Sequence, residues 1–156
     1  MKTPELASHK VLVIDDDAFM LEVTETSLMQ NFALTLEILT RRRLKGITLS
    51  IDDFGTGYSS LDQLKQIPFS ELKIDYRFVH DAHQDIAARA ILESSVTLAK
   101  KLGMAVVTEG IETQAGWDLG AKLKYHQAQG FWIAKPMPAE EFLPWIDNWN
   151  TKLKHV

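Results

Sequence analysis

The amino-acid sequence predicts an α/β fold, a partial, half-type TIM-like (β/α) barrel of about five βα units. Three observations carry that expectation. Strand-length apolar runs alternate with helical patterns from about Phe19 to the end of the chain. Polar residues able to do chemistry fall where those runs end: Glu22, Asp52, Asp53, Lys73, Glu109 and Gln129. A closed barrel of eight units typically takes about 250 residues, whereas this chain has 156. Repeated units of this kind imply parallel strands joined by crossovers. Strand C-termini then converge on one face, where widely spaced residues meet in a single mouth.

Each element has its own signal. Phe19-Met20-Leu21-Glu22-Val23-Thr24 reads as the first strand, and a helix follows over about Ala33 to Lys45, with Leu34, Ile38 and Leu39 on one side and Gly46 as its stop. Arg41, Arg42, Arg43 and Lys45 lie in its last turn, where cations complement the helix dipole. The apolar run Ile47 to Ile51 is a strand ending at Asp52-Asp53, and a short helix starts at Ser60 and closes before Pro68. Glu71-Leu72-Lys73-Ile74-Asp75 is the third strand. In the helix Asp85 to Leu102, Ala87, Ala90, Ile91, Ser94, Leu98 and Leu102 recur at helical spacing and Gly103 ends it. Met104 to Thr108 is a strand leading into Glu109-Gly110, and Thr113 caps a short helix carrying Trp117 and Leu119. Gln129 to Ala134 is expected as the last strand. Pro138 opens a terminal helix with Phe142, Trp145, Ile146 and Trp149 as an apolar stripe, more in keeping with core than with a partner surface.

Composition removes several function classes. An apolar content of 46% supports a real core, and a net charge of −4 argues against a nucleic-acid polymer as partner. The absence of cysteine excludes disulfides and thiolate metal sites. Met1 to Glu5 lacks the apolar core of a signal peptide, and no apolar run approaches the roughly 20 residues of a membrane span. A soluble, cytoplasmic chain with no membrane association is expected. The five histidines show no metal spacing, and His80 and His83 read as solvent-facing.

The run Asp52-Asp53-Phe54-Gly55-Thr56-Gly57-Tyr58-Ser59-Ser60-Leu61 is the most informative stretch. Paired carboxylates at a strand end suit divalent cations facing a phosphate, and the glycines let the loop approach a ligand closely. Taken singly, these acids, Lys73 and Gln129 would read as ordinary solvated or backbone-satisfying groups. Together with Leu21-Glu22-Val23-Thr24-Glu25, Leu72-Lys73-Ile74-Asp75, Glu109-Gly110-Ile111-Glu112-Thr113, Gln129-Gly130-Phe131 and Ala134-Lys135-Pro136, in that order, the chain resembles the EAL-domain family of bacterial cyclic di-GMP phosphodiesterases. The resemblance runs from about Leu21 to Trp149.

That resemblance implies hydrolysis of cyclic di-GMP to linear pGpG with two Mg²⁺ or Mn²⁺ ions sharing an activated water. By position it makes Asp52 the bridging ligand, with Glu22 on one ion and Asp53 and Glu109 on the other. Lys73 is expected beside the attacking water, Gln129 and Glu112 in support, and Glu25 as a brace for the loop holding Gly55, Thr56, Gly57 and Tyr58, with Asp75 closing the lysine strand.

The sequence also departs from the family. No Glu-Ala-Leu motif precedes Glu22, and the metal-binding Asn of the next family strand is missing, so one metal position lacks two ligands. His9 to Asp17 instead resembles the first strand and acidic cluster of a response-regulator receiver of two-component signalling. The expected division is a receiver-like remnant over 1–18, a truncated EAL domain over 19–150 and a tail over 151–156. Asp15, Asp16 and Asp17 are not expected to replace the missing ligands, because too few residues separate Ile14 from the next strand for a parallel crossover. A half-barrel leaves open edges, to be completed by the extra N-terminal strand Val11 to Ile14 or by homodimerisation. The second function class is an inactive EAL-derived binding module or scaffold.

Overall fold

Among the described residues five parallel strands hydrogen-bond in sequence order, β1-β2-β3-β4-β5, with helices in the connections. The computed structural model describes residues 20–30, 32–57 and 60–153. The receiver-like segment, its acidic trio and Tyr58 lie outside the described residues. The strands are β1 (Met20–Thr24), β2 (Thr48–Phe54), β3 (Glu71–Ile74), β4 (Ala105–Thr108) and β5 (Gln127–Ala128). The helices are α1 (Glu25–Gln30), α2 (Phe32–Leu44), α3 (Leu61–Gln66), α4 (Tyr76–Asp81), α5 (Ile86–Lys101), α6 (Gln114–Leu123) and α7 (Ala139–Leu153). The incomplete (β/α) barrel is therefore the architecture observed.

Register fixes what each strand presents. Glu22 pairs with Ser50, Ser50 with Glu71, and Lys73 with Val107. Because strand side chains alternate, Ser50 and Asp52 share a face with Glu71 and Lys73. Leu49, Ile51, Leu72 and Ile74 take the other face, are fully buried, and join Leu92, Val96 and Ala99 of α5 in the core. Caps delimit the helices as their side-chain chemistry requires. Ser60 makes a reciprocal capping box with Gln63, while Asp75, Asp85 and Thr113 cap α4, α5 and α6.

Several elements depart from expectation. The last strand is only Gln127–Ala128, and residues 130–133 turn instead. The chain folds back on Ile111, whose N–H donates to the Gln129 carbonyl and whose carbonyl accepts from Trp132 N–H. Gly130 permits this, because a Cβ there would overlap the Ile111 backbone. Helices α1 and α4 have no counterpart in the expected elements; both have six residues, too short for a periodic signal. On α5 the buried residues are Ala88, Leu92, Ser95, Val96 and Ala99, one position round from the expected stripe, so Ile91 is 38% exposed. On α2, Leu39 is buried whereas Leu34 and Ile38 are exposed. Both helices carry interleaved apolar sets, and packing against the sheet selects one.

Of the terminal stripe, Trp149 is buried in the core and Trp145 packs against it half-buried, while Phe142 and Ile146 are also half-buried. Trp149 stands edge-on to Trp117 and Trp132, with centroids 5.7 and 5.3 Å away. Pro144 is accommodated inside α7. Among the described residues no helix is long and apolar enough to cross a membrane.

Candidate active site

Four strands deliver one charged cluster. Lys73 extends from β3 to within 2.7 Å of Glu109 Oε1 beyond β4, 3.1 Å of Glu22 Oε1 on β1 and 3.5 Å of Asp52 Oδ1 on β2. The Lys73 side chain is only 11% exposed. Burial lowers the lysine's pKa, but the hydrogen bonds and charges of Glu109, Glu22 and Asp52 outweigh it, and the net direction is upward. Lys73 is therefore a fixed ammonium at neutral pH. Asp52 Oδ1 is buried and makes no hydrogen bond, leaving the distant Lys73 contact as its compensation.

Asp53 follows in the left-handed region at φ 55°, a conformation that Asp tolerates better than most side chains. Its carboxyl is pushed up by burial and by the charges of Asp52 and Asp75. Gly55 then takes φ 99°, and a Cβ there would meet the Phe78 ring. The amides of Gly55 and Gly57 both donate to Glu25 Oε2 at 2.9 Å, and the Thr56 hydroxyl donates to the Asp53 carbonyl. Glu25 thus ties the start of α1 to the loop after β2.

Asp75 makes its contacts at the start of α4: it caps that helix and receives the Arg77 guanidinium at 2.8 Å. Gln129 and Glu112 are exposed, and their side chains make no hydrogen bond or ion pair among the described residues. The structure therefore gathers Glu22, Asp52, Lys73 and Glu109, and separately Glu25, Gly55 and Gly57, without bringing Gln129 or Glu112 side chains to them.

Sequence reading passed over two residues, level with Glu22 and two residues short of Asp52 and Lys73 along their strands. The Ser50 hydroxyl, fully buried, donates to Glu71 Oε1 at 2.9 Å, and Glu71 is itself 6% exposed. Burial pushes the Glu71 carboxyl up. The signal was period two: Ser50 stands two residues before Asp52, and Glu71 two before Lys73.

The donor set suits a hard divalent cation in kind, since it offers carboxylates, one of them with a buried oxygen that has no hydrogen bond. The acids are drawn to Lys73, however, and among the described residues no three His, Asp or Glu side chains are disposed to hold a metal.

Comparison with known proteins identifies the family. A family model described as EAL domain matches residues 5–136. The cyclic di-GMP phosphodiesterase RocR of Pseudomonas aeruginosa is 43% identical over 124 residues, covering 80% of this chain and 32% of RocR. The structure of the PaMucR phosphodiesterase in complex with c-di-GMP aligns with a TM-score of 0.75 at 43% identity, over 79% of this chain and 50% of that one. A manganese and cy-diGMP complex of Klebsiella pneumoniae BlrP1 aligns at a TM-score of 0.69 and 36% identity, over 75% of this chain and 30% of that one. The chain thus spans half or less of these relatives. Four strands that carry their acids and lysine to one point, on a sheet shared with these structures, place the chain in the EAL domain family.

Proposed function

We propose that this chain carries part of an EAL-type phosphodiesterase site and that its substrate is cyclic di-GMP, opened to linear pGpG. The observation that carries this reading is the convergence of Glu22, Asp52 and Glu109 on Lys73 from four strands. In the reaction, a water oxygen joins phosphorus, one P–O3′ bond breaks, and the leaving oxygen takes a proton. Asp52, Glu22, Asp53 and Glu109 would hold Mg²⁺ or Mn²⁺, which supplies Lewis acidity and an activated water when bound. Lys73 offsets negative charge developing on the phosphoryl oxygens, a role its permanent charge and burial suit. Glu25 holds the Gly55–Gly57 loop so that its backbone lies against the site without reorganising. Among the described residues β1 and β5 are the sheet's edges, and a homodimer joining them, or the N-terminal strand expected over Val11 to Ile14, would complete the sheet.

A second reading is a module that binds cyclic di-GMP without cleaving it, favoured by the lack of a ready metal cage among the described residues. Cyclic di-GMP turnover with Mg²⁺ or Mn²⁺, with Asp52→Ala as control, separates the two. Formation of linear dinucleotide that the variant loses supports the enzyme. Folded protein that binds the nucleotide without product formation supports the module.

A further inference from the structure

Two residues beyond Lys73, Asp75 holds an arginine by one edge and leaves its other edge open. Asp75 follows Ile74 before α4 begins, at φ −54° and ψ 139°. Alternation along β3 returns it to the face of Glu71 and Lys73, one step nearer the C-terminal end of the sheet. Helix α4 then passes between two loops of the candidate site. Gly55, in the loop after β2, lies against the Phe78 ring, and Gly110, in the turn after Glu109, lies against Cα and Cβ of Tyr76. Arg77 stands between those two contacts in sequence, and its charge is near enough to Asp53 to stabilise that carboxylate.

Asp75 fixes this arginine firmly. Its carboxylate, only 7% exposed, accepts the Arg77 backbone N–H at 2.9 Å, Nε at 2.8 Å and, more loosely, Nη2 at 3.5 Å. The Arg77 side chain is itself 55% exposed, and among the described residues no other group pairs with its guanidinium. Nη1 and the outer N–H of Nη2 are left as two parallel donors on a plane that a buried carboxylate holds in place. Such an arginine is a poor counter-charge for phosphate, because the carboxylate already offsets its positive charge. It suits a neutral edge that carries two adjacent acceptors. Guanine has that edge at O6 and N7, whereas adenine sets a donor at N6 beside N7.

We propose that Arg77, held by Asp75, is a specificity-determining residue that reads the O6 and N7 edge of one guanine of the cyclic dinucleotide. This rests on the reading that cyclic di-GMP is the ligand, and it holds whether the chain cleaves that ligand or only binds it. Lys73 and Arg77 then divide the substrate, the lysine serving the phosphoryl group and the arginine the base.

The test is calorimetric titration of the full chain with cyclic di-GMP and with cyclic di-AMP, in chelator and again in Ca²⁺. Wild type is expected to prefer the guanine dinucleotide. Arg77→Met should weaken cyclic di-GMP binding about ten- to a hundredfold, the range usual for one two-donor contact to a base, and leave cyclic di-AMP binding as it was. Arg77→Lys should behave as Arg77→Met does, because an ammonium keeps the charge without the planar pair of donors. Both variants retain the backbone N–H that Asp75 caps, so α4 keeps its start. In the wild type, cyclic di-GMP should shift the NMR signals of the Arg77 guanidinium and cyclic di-AMP should not, a measurement that needs no variant.

Unchanged cyclic di-GMP affinity in Arg77→Met would overturn the inference and leave the phosphodiesterase reading standing. So would an equal loss for both dinucleotides, or full retention of affinity by Arg77→Lys, either of which would reduce Arg77 to a general positive charge. Folded chain that binds cyclic di-GMP in neither condition would overturn both readings.

Discussion

Neighbouring residues on β2 and β3 do opposite work. Leu49, Ile51, Leu72 and Ile74 are fully buried in the core, each contributing roughly 1.5–3 kcal/mol by leaving water. Between them on the other face stand Ser50, Asp52, Glu71 and Lys73, which bury polar and charged groups that do little for stability. One strand, read two residues at a time, is therefore half scaffold and half site. The lesson is that the alternation lets chemistry be written on one face while the other face secures the fold. The two should then be separable by mutation.

The largest effect should come from the scaffold face. Leu72→Ala removes a fully buried side chain at the centre of the sheet and should lower unfolding free energy by about 2–5 kcal/mol in urea titrations. If the faces are separable, folded Leu72→Ala still holds the Lys73 resonances of the wild type. A changed Lys73 environment in the folded variant would break the comparison.

A smaller effect is expected where the faces meet. Glu25 is buried and accepts the amides of Gly55 and Gly57, so Glu25→Gln replaces a charged acceptor serving two donors with a neutral one. A loss of about 1–3 kcal/mol is expected. Amide exchange should locate it: Gly55 and Gly57 lose protection while the amide of Leu72 keeps its own relative to global unfolding. Uniform loss across the sheet would show that the loop is part of the scaffold.

How much of this was legible beforehand follows from the same alternation. The strand-end acids and Lys73 could be placed because each sits in a contiguous motif, and the sheet order follows from repeated units. The Glu25 brace came from family resemblance. The buried Ser50–Glu71 pair carried no such motif, and reading it needed the register that sets two strands side by side. The face of α5 was ambiguous because Ala87, Ala90 and Ile91 rival Ala88 and Leu92 in apolarity, so the choice was made by contact with β3 and β4. Gln129 to Ala134 reads as a strand locally, but Gly130 brings the chain against Ile111 and turns it. Such a contact has no local signature.

The smallest effect sharpens the comparison through pH. Burial raises the Glu71 carboxyl above its ordinary 4.5, with Ser50 and Lys73 opposing and Glu22 and Asp52 reinforcing the rise. The folded chain therefore keeps this proton to higher pH than the unfolded chain does. Between 4.5 and the raised value the native state binds more protons, so stability falls as pH rises through that window and is flat beyond it. Glu71→Gln lacks this titration. The difference in unfolding free energy between variant and wild type, measured from pH about 4 to 8, should grow in the variant's favour through the window and then level off. A difference independent of pH would mean that Glu71 carries the same charge in both states, and that the site face is less costly to the fold than its burial implies.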